Sequence, residues 1–259
     1  MNSRNRKSLA QNFLVKRHLA AMIVRESSIS PEDVVYEIGP GKGILTEELI
    51  TKARRVVSIE KDRLLYKKLK EKFEGTDNIL LHNADFLKFK IKDNRFKVFA
   101  NIPFNITSAV IRKLAFTTNP PDESYLIVQK EAAEKFTGMP KTTQLSVLLK
   151  PRFRMKITRS FRKTDFWPVP RVDVVMLHIE KRNPPLVSTS DMPIYEKFIK
   201  YGFDAWRRDL KANYKHVFTH RQWKKLSRDL EFPIHACPSE LRFSQWFGLF
   251  EFYRRNVQG

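Results

Sequence analysis

From residue 34 to about residue 180, short apolar runs alternate with longer stretches whose apolar positions recur at helical spacing. Residues 34–39, 55–60, 78–82, 97–101 and 125–129 are strand-length runs, and 44–53 and 62–73 between them read as helices. Strands that are apolar along their whole length and separated by helix-length segments predict a parallel sheet with helices on both faces. Two further runs, 153–161 and 172–179, have no long helix between them. They predict an antiparallel pair that closes the sheet edge.

After residue 180 the texture changes. Lys181-Arg182-Asn183-Pro184-Pro185, followed by Ser188-Thr189-Ser190-Asp191, reads as a joint rich in proline and serine. Beyond it, 193–214, 219–230 and 238–252 predict helices, with Asp191, Thr219 and Pro238-Ser239 as their starts. The expected organisation is an α/β domain over residues 1–183 and a small all-helical domain over 184–259.

Charge changes this picture most. Forty-nine Lys and Arg against 28 Asp and Glu give a net charge of +21. A surplus of that size points to a polyanionic partner, because each cation near a phosphate releases a condensed counterion. The surplus is clustered. Arg4, Arg6, Lys7, Lys16 and Arg17 form one run, and Lys150, Arg152, Arg154, Lys156, Arg159, Arg162 and Lys163 a second. Lys200, Arg207, Arg208, Lys211, Lys215 and Arg221 dominate the helical segment. Three such runs predict a cradle for that polyanion, in which phosphate contacts position the partner.

The single cysteine, Cys237, can form no intramolecular disulfide and offers no metal cluster. The basic start lacks an apolar segment behind it, and no run has membrane-spanning length. The expectation is a cytoplasmic protein that binds no metal and no membrane.

Four stretches carry chemistry, each at the end of an expected strand. Glu37-Ile38-Gly39-Pro40-Gly41-Lys42-Gly43 follows the first strand, where glycines let backbone approach a ligand and aim a helix N-terminus at it. Glu60 ends the second strand, 21 residues after Gly39. A carboxylate there can take both hydroxyls of a ribose, which suits a nicotinamide cofactor or S-adenosylmethionine. The spacing departs from the dinucleotide fingerprint, since the third glycine arrives one residue early. Asp85 follows the third strand and can accept a hydrogen bond from an adenine amine, with Phe86 beside it to pack on the base. Asn101-Ile102-Pro103-Phe104 ends the fourth. The Asn101 side-chain oxygen and the Ile102 carbonyl suit the amino hydrogens of an adenine. Pro103 fixes the carbonyl's direction and Phe104 offers a ring for the base. Ligands of open α/β sheets bind outside these strand ends.

Taken together with Gln11-Asn12-Phe13-Leu14 and Phe166-Trp167-Pro168-Val169-Pro170-Arg171-Val172-Asp173, these stretches resemble the rRNA adenine N6-methyltransferases in order along nearly the whole chain. That family includes the Erm macrolide-resistance methylases and the KsgA-type small-subunit dimethylases. Lys215-His216-Val217-Phe218-Thr219-His220-Arg221-Gln222 and Trp246-Phe247-Gly248-Leu249-Phe250-Glu251-Phe252-Tyr253 resemble the Erm branch. Arg207-Arg208-Asp209-Leu210 only half matches a stretch usual in KsgA-type chains.

The resemblance implies a Rossmann-like methyltransferase domain that uses S-adenosylmethionine, leaves S-adenosylhomocysteine and needs no metal. It also implies a monomer with a small helical RNA-binding domain. Asn12 and Leu14 would close over the cofactor, Gly39 and Gly41 would approach its methionine part, Glu60 would hold the ribose, and Asp85 with Phe86 the adenine. Asn101, Ile102 and Phe104 would face the target base, Asn101 also touching the cofactor, and Phe166 would be a second stacking ring. The implied reaction is methylation of an adenine in 23S rRNA, giving macrolide-lincosamide-streptogramin B resistance. The alternatives are dimethylation of adjacent adenosines in small-subunit rRNA and a non-catalytic RNA-binding factor on the same fold. One departure stands out: the family often has tyrosine where this chain has Phe104.

Overall fold

In the computed structural model of the chain, residues 12–204 and 209–256 are described. Gln11, the early basic residues Arg4, Arg6 and Lys7, and Arg207 and Arg208 lie outside them.

Seven strands form one sheet. In chain order these are β2 (Val34–Ile38), β3 (Arg55–Glu60), β4 (Ile79–Asn83), β5 (Lys97–Asn101), β6 (Glu123–Gln129), β7 (Phe153–Phe161) and β9 (Val174–Lys181). Their order across the sheet is β4-β3-β2-β5-β6-β9-β7. The first five run parallel, and β9 pairs antiparallel with β6, Leu126 opposite Leu177. Every residue of β2 is buried, as its apolar run requires of a strand covered on both faces. Two short strands, β1 (Phe13–Leu14) and β8 (Phe166–Trp167), pair separately and antiparallel. The strand order reverses between β2 and β5, so the ends of these two neighbours border the crevice where ligands of such sheets bind.

By contact, the described residues fall into two compact units, drawn from Met1–Ala133 with Met155–Lys181 and from Glu134–Arg154 with Arg182–Gly259. The second switch of unit lies two residues from the expected boundary at 183/184. The segment Glu134–Arg154, counted above with the α/β domain, groups with the helical unit. There the amphipathic helix Gln144–Leu149 buries Val147, Leu148 and Leu149, and the Val147 carbonyl accepts the hydroxyl proton of buried Tyr195 at 2.7 Å.

The helical unit packs on aromatic rings. Tyr195, Phe198, Tyr214, Phe218, Trp223, Trp246 and Phe250 are all buried in one cluster. The expected helix over 193–214 is two segments, Met192–Asp204 and Leu210–Asn213, with Asp209 capping the second through the Lys211 N–H. The expected start at Thr219 is a reciprocal cap: Thr219 Oγ1 accepts from Gln222 N and Gln222 Oε1 accepts from Thr219 N. Residues 238–252 resolve into a single 3₁₀ turn, Pro238–Glu240, and a helix over Phe243–Asn256.

In the α/β unit, two glutamates make stability depend on pH in opposite ways. Burial would raise the Glu123 carboxyl, but hydrogen bonds from Ser28, Tyr125 and His178 and the charge of Lys97 bring it down to about 2. Burial pushes the Glu37 carboxyl up to about 7, against hydrogen bonds from Ser58 and Thr46 that favour ionisation. A depressed carboxyl stabilises the fold fully above its ordinary value of 4.5, and that contribution disappears as pH falls toward 2. A raised carboxyl holds its proton only in the folded state, so stability falls as pH rises from 4.5 to 7. Glu37→Gln keeps an acceptor for both hydroxyls without the charge. It should flatten the loss of urea midpoint between pH 5 and pH 7 and leave the acid limb intact. An unchanged loss would contradict the assignment.

Candidate active site

The turn after β2 is built by its glycines. Gly39, Gly41 and Gly43 all hold positive φ, at 66°, 61° and 79°, a region that residues with a Cβ enter only at a cost. At Gly41 the reason is also steric: a Cβ there would lie 2.8 Å from the Phe13 ring of β1. At Gly39 a Cβ would meet nothing within 4 Å, so the backbone borders open space. Gly43 then opens the helix Ile44–Lys52.

Glu60 lies across this turn at the end of β3. Its side chain is buried, and both oxygens are held by backbone. The Gly41 N–H donates to Oε2 at 3.1 Å and the Asp62 N–H to Oε1 at 2.8 Å. Burial raises its pKa, and the two N–H groups work against that rise. Asp62 caps the helix Arg63–Lys72 through the Leu64 and Leu65 N–H groups, which fixes the chain just past Glu60. Glu37 accepts from Thr46 and Ser58 through Oε2, while its buried Oε1 has no hydrogen-bond partner.

Asp85 is half-buried beyond β4. Its Oδ2 accepts from Lys61 Nζ at 2.9 Å and its Oδ1 from the Leu87 N–H at 2.9 Å. The Lys61 ammonium holds its carboxyl below the usual carboxylate range. Phe86 turns inward: its ring is buried, with Lys113 Nζ 4.7 Å from the centroid, anchored on the Phe86 and Phe89 carbonyls.

A cleft at the β2 and β5 ends brings Gly39, Asn101, Ile102 and Phe104 together with Asn12 and Leu14. The Asn101 amide donates to the Asn12 carbonyl at 2.7 Å. That carbonyl can only accept, so the amide nitrogen must face it, and the amide oxygen is left as the acceptor. Pro103 holds φ at −54° and its carbonyl takes the Ile106 N–H, which sets the turn under Phe104. Phe104 is half-buried and leans on the core from the cleft wall. The Ile102 side chain is buried, so only its backbone faces a ligand.

Phe166 is not brought to this opening. Its ring is 2 % exposed and packs edge-on against Phe161 at 5.6 Å, inside the core. The reason is the alternation of a strand: in β8 one side chain points in and the next points out, and the outward one is Trp167. Sequence reasoning also left out Phe13, Pro40, Lys42, Ile44 and Leu45, which line the same cleft. Phe13 is apolar and lies far from the turn in sequence, and only the contact at Gly41 reveals its place.

Of the basic residues, Arg154 and Lys156 are exposed on β7, whereas Arg152 precedes the strand and is half-buried. Arg159 is spent on Glu26 at 2.7 Å. Among the described residues, no three His, Cys, Asp or Glu side chains gather as a metal site, and no helix is long and apolar enough to cross a membrane.

The family model described as ribosomal RNA adenine dimethylase matches residues 2–254. An rRNA adenine N-6-methyltransferase of Saccharopolyspora erythraea is 31% identical over 249 residues, which is 96% of this chain and 65% of that protein. The chain thus spans about two thirds of that relative's length. The ribosomal RNA small subunit methyltransferase A of Caldanaerobacter subterraneus subsp. tengcongensis is 32% identical over 221 residues, 81% of this chain and 82% of that one. The crystal structure of the 23S rRNA methyltransferase ErmE is similar at a TM-score of 0.88 and 30% identity, over 94% of this chain and all of that chain.

Proposed function

The chain belongs to the ribosomal RNA adenine dimethylase family, and we propose that it transfers a methyl group from S-adenosylmethionine to N6 of one adenine in 23S rRNA. The observation that carries this reading is the cleft itself. It sets the Asn101 amide oxygen, the Ile102 turn and the Phe104 ring beside the open backbone at Gly39.

The residues present fit the cofactor. Gly39 borders open space wide enough for close backbone approach, the Glu60 carboxylate retains lone pairs beyond those taken by Gly41 and Asp62, and Asp85 offers a carboxylate held ionised by Lys61. When bound, S-adenosylmethionine supplies an electrophilic methyl on a sulfonium. The chain's part is positioning. Asn101 Oδ1 and the Ile102 carbonyl accept the N6 hydrogens of the adenine, which localises the nitrogen lone pair toward the methyl. Phe104 stacks on the base and holds it in line. A stacking face suffices for that role, so the tyrosine hydroxyl usual in the family is dispensable here. The departing N6 proton is passed to solvent.

The 23S substrate is favoured over the small subunit by extent. The 23S rRNA methyltransferase ErmE is similar over 94% of this chain, and the small-subunit relative aligns over 81%. The second reading, dimethylation of small-subunit rRNA, draws on that small-subunit relative, which is equally identical where it aligns. Purified protein given labelled S-adenosylmethionine should put label into protein-free 23S rRNA and leave 16S rRNA unlabelled. Label in 16S rRNA alone would replace the first reading by the second.

A further inference from the structure

The ring that the FW pair sends outward has no use in the account above. Trp167 is 64% exposed, while its neighbour Phe166 is buried. Tryptophan is highly buried on average, and here it is exposed in one segment with exposed Val169 and Val172.

Its backbone is held from several sides. Phe13 lies directly opposite Trp167 in the β1–β8 pair, the Val15 N–H donates to the Asp165 carbonyl at 2.9 Å, and the Asn12 amide donates to the Pro168 carbonyl at 2.5 Å. Directly opposite residues of an antiparallel pair share a face, so Trp167 stands beside Phe13, whose ring lines the cleft. The ring is therefore carried on a fixed support, paired in register with a residue of the cleft wall.

The surroundings choose the occupant. Arg162, Lys163 and Arg171 are exposed within five residues of Trp167 in the chain, as are Val169 and Val172, and Lys163 Nζ donates to the Arg171 carbonyl at 3.1 Å. The nearby Asp165 is turned inward and paired with Lys16 at 2.7 Å. The exposed Asp173 lies 3.5 Å from Lys163. An exposed indole on a segment this rich in exposed cations suits a nucleotide: base on the ring, phosphates on the cations. A purely apolar protein partner would have to bury those charges.

We propose that Trp167 is a stacking platform for an unpaired nucleotide next to the adenine held in the cleft. It helps hold the RNA open around its target. The proposal rests on the RNA-methylating reading of the cleft, and it gives Trp167 a neighbouring nucleotide and not the target adenine.

The test uses the full chain and the variants Trp167→Leu and Trp167→Phe, with labelled octa-adenylate and a fully paired RNA duplex as probes. Trp167→Leu keeps apolar bulk and loses the aromatic face. It should weaken octa-adenylate binding about 5- to 100-fold and duplex binding by less than about twofold, with Trp167→Phe close to the wild type. Thermal midpoint should move by only a few degrees, the worth of one cross-strand pair with Phe13, and S-adenosylmethionine affinity should not move. Unchanged octa-adenylate binding by Trp167→Leu, or an equal loss for strand and duplex, overturns the platform. A fall in thermal midpoint of about 10 °C or more also overturns it, since the ring would then be covered by protein beyond its strand partner. Failure of the wild-type chain to methylate any rRNA would instead strike the reading on which the proposal rests.

Discussion

Asn101→Ala is expected to slow methyl transfer to RNA by about two to three orders of magnitude, the scale of losing one preorganised hydrogen-bonding group at a reacting centre. The side chain has two tasks at once. Its nitrogen ties β5 to the Asn12 carbonyl at 2.7 Å, and its oxygen is the proposed acceptor for an N6 hydrogen. Alanine removes both, so the base loses an acceptor and the segment over the cleft loses its anchor. Cofactor affinity should fall by about tenfold or less, the worth of about one neutral hydrogen bond. Single-turnover transfer with saturating cofactor, together with calorimetric binding of S-adenosylmethionine, separates the two tasks. Transfer at the wild-type rate in Asn101→Ala would remove Asn101 from the mechanism.

Glu60→Gln is the second large effect. Each oxygen of the carboxylate accepts a backbone N–H, from Gly41 and from Asp62. A carboxamide has only one acceptor, so its NH₂ must confront one of these donors in a buried place. The Gly41 turn then loses its tether just where the cofactor's ribose would be held. Affinity for S-adenosylmethionine should drop about 10- to 100-fold, the range of a lost hydrogen bond to a charged group. The transfer rate at saturating cofactor should change little, because Glu60 does not touch the target base. Titration of cofactor against both proteins by calorimetry reads this directly. Equal affinity would mean that the carboxylate only shapes the turn.

The parts of this molecule that were legible in the sequence share a physical cause. Strands β2 and β5 are covered on both faces, so residues 34–36 and 98–100 are consecutive buried runs without polar alternation and announce themselves. The Gly39–Gly43 turn is legible because three left-handed residues leave glycine little competition. Thr219 and Gln222 are legible because a reciprocal cap needs a side-chain acceptor three residues from its partner.

What escaped depends on contacts distant in sequence. Phe13 matters because Gly41 has no side chain, and the two are 28 positions apart (41 − 13). In Phe166-Trp167 a two-residue strand gives no periodicity from which to read inside and outside, and only the β1 partner settles it. The contact grouping of Glu134–Arg154 was hidden for a similar reason, since its buried residues look like any other amphipathic segment until Tyr195 is seen against Val147. The ionic cluster at Glu123 joins Ser28, Lys97 and His178 from four different parts of the chain and leaves no local motif.

The central claim is that the cleft at Asn101–Phe104 presents N6 of a single adenine to a methyl donor. The measurement that meets it most directly is nucleoside mass spectrometry on 23S rRNA treated with the purified protein and S-adenosylmethionine, with the position located by primer-extension stops. The expected result is N6-methylated adenosine at one position of 23S rRNA, formed about two to three orders of magnitude more slowly by Asn101→Ala. Methylation on another base or another atom, or none with the wild-type chain, would contradict it.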